Sequence, residues 1–322
     1  MPFRMKNDLP LVSVIAVCYN HAKFVTETLD SVKNQTYANI ELIIMDDCST
    51  DNSVEVIQQW VKETNYPCQF IAHQDNQGLC KTLNEALNFI KGEYYQGLAC
   101  DDIIIKEKIE TQVNLFKKLD NDYAVIYSDA YLMNNKSELY YGNFIQRHKP
   151  KMLEIPSGDI YEELLLSNYI PAMSVLIKTD SVKNIEGYDE NLTYEDYDLW
   201  LRLAKTFKFY FSDYKSCKYR IHDNNMHSSS NFKKSALINS FIIYNKHSDK
   251  EISKHKLKNI INNLYKNDLH YQFKDDVLRL ALTPRIIKCI KSNLNYKQCQ
   301  RKIMLEKISK KMKLNIKQIF NL

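Results

Sequence analysis

Residues 11–17 are an almost unbroken apolar run rich in β-branched side chains, as a strand covered on both faces requires. The spacing then turns helical over residues 23–34, with Phe24, Leu29 and Val32 on one face. This alternation repeats. Residues 40–45 read as a second buried strand and 53–63 as a helix carrying Val54, Ile57 and Val61. Residues 69–72 give a short third strand and 81–90 a helix turning Leu83, Ala86, Leu87 and Ile90 inward. Residues 94–99 give a fourth strand and 106–119 a further helix. Strands and helices alternating at these lengths imply right-handed crossovers and a largely parallel, Rossmann-like sheet flanked by helices.

Beyond residues 124–128 the regularity fades. Residues 131–170 read as loop apart from a helix at 160–167, and residues 172–178 as another strand. Residues 197–207 form an amphipathic helix through Leu199, Trp200, Leu203 and Ala204, and from Phe232 onward the pattern is helical. The expected organisation is one domain over 1–230, with a regular half at about 10–130 and an irregular half at about 131–230. A helical region over 231–322 follows.

Charge sharpens that division. Residues 231–322 hold 21 Lys/Arg against 6 Asp/Glu, whereas 1–230 hold 23 against 33, so a basic tail follows an acidic body. The acidic body and the lack of any RNA- or DNA-binding motif argue against nucleic acid as a partner. No apolar run approaches the ~20 residues of a membrane span. The eight cysteines are scattered without metal-like spacing, which favours free thiols in a reducing cytoplasm.

In a parallel sheet, ligands gather at the carboxyl ends of the strands. Cys18-Tyr19-Asn20, Asp46-Asp47 and Cys100-Asp101-Asp102 therefore converge on one edge. No G-x-G-x-x-G follows the first strand, so a dinucleotide dehydrogenase is poorly supported. Adjacent buried carboxylates repel and lose solvation, an objection that a divalent cation removes by bridging them to a diphosphate. Taken alone, Asp101-Asp102 also fits an exposed turn capping the next helix, and Asp46-Asp47 and Glu195-Asp196 can likewise cap helices. Tyr19 offers a face for a base, and Asp47 an acceptor for a pyrimidine N–H.

Residues 12–20 (VSVIAVCYN), 31–37 (SVKNQTY) and 43–53 (IIMDDCSTDNS) resemble the inverting family 2 glycosyltransferases of GT-A fold. The likeness continues through 76–79 (NQGL), 92–94 (GEY) and Asp101-Asp102, then 187–190 (GYDE), 195–202 (EDYDLWLR) and 219–222 (YRIH). The resemblance covers about residues 10–230 in order and implies transfer of a sugar from a nucleotide-sugar, with a UDP-sugar favoured. The acceptor would be a glycan or a lipid-linked acceptor in bacterial surface polysaccharide synthesis. It implies that Val17, Tyr19, Asp47 and Asp101 bind the nucleoside, that Lys81 faces phosphate, and that Asp102 and His222 hold Mn2+ or Mg2+. It further implies that Asp196 is the general base and that Glu195 orients it or binds acceptor. Cys48 stands where the family often has Gly. A catalytically silent nucleotide-sugar-binding or interaction protein of the same fold is the alternative.

In the tail, Met304, Ile308, Met312, Ile316 and Ile319 recur at helical spacing among lysines. Such a helix can lie on an anionic leaflet, placing the protein at the inner face of the plasma membrane, or pack on the catalytic domain. Finally, Cys18, Cys48 and Cys100 are expected to line the nucleotide edge as accessible thiols.

Overall fold

The computed structural model describes residues 9–301 except 224, 226–229, 293 and 299, together with 304 and 305. The chain divides into two compact units, Met1–Ser228 and Ser229–Leu322. The first opens with β1 (Val12–Cys18), α1 (Val25–Lys33), β2 (Ile40–Asp46), α2 (Ser53–Thr64), β3 (Cys68–Ala72), α3 (Leu79–Leu87) and β4 (Tyr94–Ala99). All seven positions of β1 are buried, as its apolar run demands. β2 pairs parallel with β1 and β3, and β4 lies parallel to β1 on its other side. In the order β3-β2-β1-β4 the chain reverses its winding at β1, so a crevice opens between the ends of β1 and β4. α1 seats Val25, Leu29 and Val32 on the sheet, and α2 docks through Ile57 and Trp60. The Trp60 indole N–H donates to Asp30 of α1 at 2.9 Å, locking the two helices.

The short β5 (Ile103–Ile104), α4 (Lys108–Phe116), β6 (Tyr123–Met133), β7 (Leu139–Asn143) and α5 (Phe144–His148) follow. Next come α6 (Tyr161–Leu166), β8 (Leu176–Lys178), α7 (Thr179–Asn184), α8 (Asp196–Ala204) and β9 (Lys208–Arg220). The sheet continues β4-β8-β6-β9-β5, with β7 on the side of β6. β6 and β9 are parallel, whereas β8, β5 and β7 join antiparallel, so a mixed half extends the parallel one. This is the α/β architecture expected, with local corrections. Residues 131–133 continue β6, and β7 and α5 also lie in the stretch read as loop. Residues 208–220 form one long strand that the sequence pattern does not announce. The pairing of β6 with β9 slips register twice, and β9 alternates buried and exposed positions irregularly, so period-2 patterning is lost. The strand expected over 172–178 begins only at Leu176, because a single 3-10 turn, Ala172–Ser174, follows Pro171.

Beneath the sheet lies Lys108, wholly buried, its Nζ bonded to Gln96 Oε1, to Gln112 Oε1 at 2.7 Å and to the Val175 carbonyl at 3.4 Å. With no carboxylate beside it, burial pushes its pKa down to about 7. Between about 7 and 10.5 the unfolded chain holds a proton that the folded chain has released, so stability rises with pH across that window. Lys108→Met removes this linkage. Urea unfolding of both proteins should show the wild type gaining on the variant by about 1 kcal/mol per pH unit from about pH 7.5 to 9.5. A constant difference would mean that the buried amine stays charged.

The second unit comprises α9 (Ser230–Lys246), α10 (Glu251–Lys266), α11 (Lys274–Leu280) and α12 (Pro284–Lys291), helical as its pattern predicts. It buries Phe241, Leu257, Ile261, Leu264 and Val277. The amphipathic repeat through Ile308, Met312, Ile316 and Ile319 lies outside the described residues. Among the described residues, no helix is long and apolar enough to cross a membrane.

Candidate active site

The crevice edge is held by hydrogen bonds between the loops after β1 and β2. Asn20 adopts the left-handed region (φ 60°), and its Oδ1 accepts from the amides of Thr50 (2.7 Å) and Asp51 (3.3 Å). The His21 amide donates to Ser53 Oγ at 2.9 Å, and the His21 carbonyl accepts from Phe24 and Val25, starting α1. Asp46 is a turn holder: buried, it accepts from the Ser49 amide (2.8 Å) and hydroxyl (2.6 Å). Cys48 is left-handed (φ 62°), which gives a physical reason for glycine at this position.

Asp47 also organises backbone. Its Oδ1 accepts from the Gln77 amide and its Oδ2 from the Gly78 amide, both at 2.8 Å. His73 Nδ1 stands 2.9 Å from Oδ1, and His73 Nε2 stands 3.1 Å from Glu85 Oε2. Gly78, at φ 85°, opens α3, and only a residue without Cβ takes that conformation freely. Burial works against the Asp47 charge, but His73 and the two amides outweigh it and hold the pKa below the ordinary carboxylate range. The carboxylate expected to read a base is thus 3% exposed, with each oxygen already engaged. Tyr19 is half-exposed at the crevice, Val17 is interior to β1, and Lys81 is exposed in the first turn of α3.

At the end of β4 the two acids part company. Asp101 Oδ2 meets His222 Nε2 at 3.0 Å and faces His21 Nε2 at 3.6 Å. Asp102 Oδ1 accepts from the Arg220 amide at 2.9 Å, and its carbonyl accepts from Thr28 Oγ1 at 2.7 Å. Burial opposes charge on both. At Asp101 the His222 hydrogen bond and the nearby imidazoles prevail, so its pKa falls below the usual range. Asp102, buried beside the Asp101 charge, is pushed well up despite Arg220. Among the described residues, one group of three side chains can hold a metal ion: His21, Asp101 and His222, with ligand atoms within 4.8 Å of one another. The grouping differs from expectation, since Asp102 stands outside it and His21 stands within. The donor set fits a divalent cation, and His21 Nδ1 is buried without a partner. Cys18 and Cys100 correct another expectation: both are wholly buried rather than accessible, because the strand ends carrying them stay inside the sheet.

The second acidic group opens α8. Asp196 Oδ2 accepts from Asn168 Nδ2 at 2.7 Å and Oδ1 from the Tyr197 amide at 2.6 Å. The Asn168 amide orientation is settled because its Oδ1 accepts from the Ile170 amide at 3.2 Å. Burial, reinforced by the Asp196 charge, pushes the Glu195 pKa up to about 8, so its carboxyl is mostly protonated near neutral pH. Arg202 bonds Asp198 (2.7 Å) and the carbonyls of Ile185 (2.7 Å) and Gly187 (2.6 Å), fixing the preceding loop. Burial raises the Tyr219 pKa, and the acidic side chains of both groups, Asp102, Asp101 and Asp196, add to it. Sequence reasoning missed His21, His73 and Asn168 as contributors.

An α/β sheet carries acidic side chains at a strand-switch crevice, and a second carboxylate pair opens a helix. Residues 13–179 match the profile of Glycosyl transferase family 2, and the chain belongs to that family. An uncharacterized glycosyltransferase of Rickettsia typhi is 35% identical over 216 residues, 66% of this chain and 65% of that protein, so the chain matches just under two thirds of this relative. A putative teichuronic acid biosynthesis glycosyltransferase, TuaG of Bacillus subtilis, is 29% identical over 70% of this chain and 84% of its own length. Among solved structures, S. aureus TarS 1-349 in complex with UDP-GlcNAc superposes with TM-score 0.61 at 16% identity. That match covers 86% of this chain and 82% of TarS 1-349, and it establishes the GT-A fold.

Proposed function

We propose that this chain is an inverting glycosyltransferase that moves a sugar from a nucleoside-diphosphate sugar to an acceptor hydroxyl. The observation that carries the reading is the pair of acidic centres: Asp101 between two imidazoles at the crevice, and Asp196, held by Asn168, at the start of α8. Tyr19 stacks on the nucleobase, while Val17 and the loop ordered by Asp47 shape its pocket. Lys81 meets phosphate. Asp101 and His222 would hold Mn2+ or Mg2+, which when bound neutralises charge on the departing diphosphate. Asp196 takes the proton from the acceptor hydroxyl as it attacks, and a single inverting displacement needs no enzyme nucleophile. A mainly protonated Glu195 can donate a hydrogen bond to the acceptor or to Asp196.

Family membership and the fold shared with a UDP-GlcNAc-binding protein favour a UDP-sugar donor. Likeness to a putative teichuronic acid biosynthesis glycosyltransferase supports a role in glycan synthesis. A surface glycan or lipid-linked acceptor, handled at the cytoplasmic face of the membrane, belongs to the same proposal. A panel of UDP- and GDP-sugars tests this, each with and without Mn2+. Saturating the site at about 100 times Kd should stabilise the fold by ~2.7 kcal/mol, and the same donor should be consumed when acceptor is added. Stabilisation without donor hydrolysis or transfer would leave a silent binding protein instead.

A further inference from the structure

The His21 ring is placed without any hydrogen bond of its own among the described residues. Its Nδ1 is buried without a partner, and its Nε2, at 3.6 Å from Asp101 Oδ2, is too far for an N–H···O bond. The backbone holds it instead, through the Ser53 hydroxyl, the left-handed turn at Asn20 and the start of α1. With the ring proton on Nδ1, the free lone pair is the one on Nε2, facing Asp101, and something other than the protein takes it.

The distances indicate what that is. A transition metal with ligands at ~2.1 Å in tetrahedral or octahedral geometry sets neighbouring ligand atoms ~3.0–3.5 Å apart. Asp101 Oδ2 stands 3.0 Å from His222 Nε2 and 3.6 Å from His21 Nε2, and the three ligand atoms lie within 4.8 Å of one another. His222 is anchored independently: its amide donates to Asn225 Oδ1 at 2.6 Å, and its ring packs on Phe24 at 4.9 Å between centroids. All three groups are therefore in place before any nucleotide arrives.

We infer that His21 is the third protein ligand of a preassembled two-histidine, one-carboxylate cation site, which binds a transition metal in the absence of donor. The inference rests on the metal-assisted reading above and adds two properties to it. The metal binds first, because three protein atoms suffice without the diphosphate. Two imidazoles select Mn2+, Co2+ or Zn2+ over Mg2+, which prefers an all-oxygen shell and gives up water reluctantly.

The test uses the full chain, stripped with a chelator and titrated with Mn2+ without nucleotide, read by electron paramagnetic resonance. The wild type should bind one Mn2+ and show two imidazole 14N couplings in the pulsed spectrum. His21→Ala should lose one coupling and at least ~10-fold in Mn2+ affinity, with unchanged thermal unfolding in chelator. A ~100-fold excess of Mg2+ should fail to displace the Mn2+. Binding that requires UDP, or two couplings persisting in His21→Ala, overturns the inference while leaving metal-assisted transfer standing. Displacement by Mg2+ would overturn it too. No Mn2+ bound even with UDP would remove the metal reading itself.

Discussion

Asp196→Asn should lower kcat by ~10²–10⁴ while donor affinity changes little, the usual worth of a positioned general base. Asparagine is nearly isosteric, and its carbonyl oxygen can still accept from Asn168 Nδ2, which lies 2.7 Å from Asp196 Oδ2 in the wild type. The start of α8 should therefore survive, and only proton acceptance is lost. In the wild type Glu195 is mostly protonated near neutrality, because its pKa is about 8. Burial and the Asp196 charge raise that value together, so removing the charge should lower it. The residual rate of Asp196→Asn should accordingly climb with pH as Glu195 ionises, and the climb should begin below about 8. Steady-state kinetics across pH, with donor affinity measured separately by calorimetry, decide the matter. Wild-type turnover would reduce Asp196 to a helix cap and send the base elsewhere.

The parts of this molecule legible in the sequence are those where local pattern and burial agree. β1, β2 and β4 are buried on both faces, so their apolar runs announce them, and α1 and α2 show their docking stripes. β9 could not be read because it is a long, half-exposed strand whose register on β6 slips, and its partner lies about 85 residues away. The motifs pointed to Asp101, Asp102, Glu195, Asp196 and His222, but which does what depends on remote neighbours. Asp102 turns away from the cluster because the backbone of Arg220 offers it an amide. Asn168 sits in the stretch read as loop, and no local periodicity marks it. His21 was findable: it directly follows Tyr19-Asn20 in the turn where a doubly wound sheet collects ligands.

Replacing Arg220 should be the most destabilising single change at the site. The side chain is wholly buried, and its guanidinium joins three segments far apart in sequence. Nη2 reaches Glu27 of α1 at 2.5 Å, and Nη1 reaches Ser137 Oγ at 2.8 Å and the Asn134 carbonyl at 3.2 Å. Nε donates to the Asp101 carbonyl at 2.7 Å, and the group lies over the Phe24 ring at 4.5 Å. Arg220→Met keeps the packing volume but strands the Asp101 carbonyl without a donor, while the Asn134 carbonyl keeps the Ser137 amide at 3.1 Å. Glu27 is 45% exposed, so its freed charge can hydrate, which limits the loss. The expected cost is about 3 kcal/mol, or roughly 6–12 °C in Tm for a domain of this size. Arg220→Lys should recover little of it, because a single ammonium cannot span Glu27, Ser137 and Asp101 as the planar fork does. The damage should also reach the proposed cation site, since the Asp101 backbone loses the donor that holds it beside His21 and His222. Urea unfolding gives the first quantity and Mn2+ titration the second. An Arg220→Met protein that unfolds at the wild-type midpoint and binds Mn2+ unchanged would show that β9 and the acidic turn after β4 hold their places without this clamp.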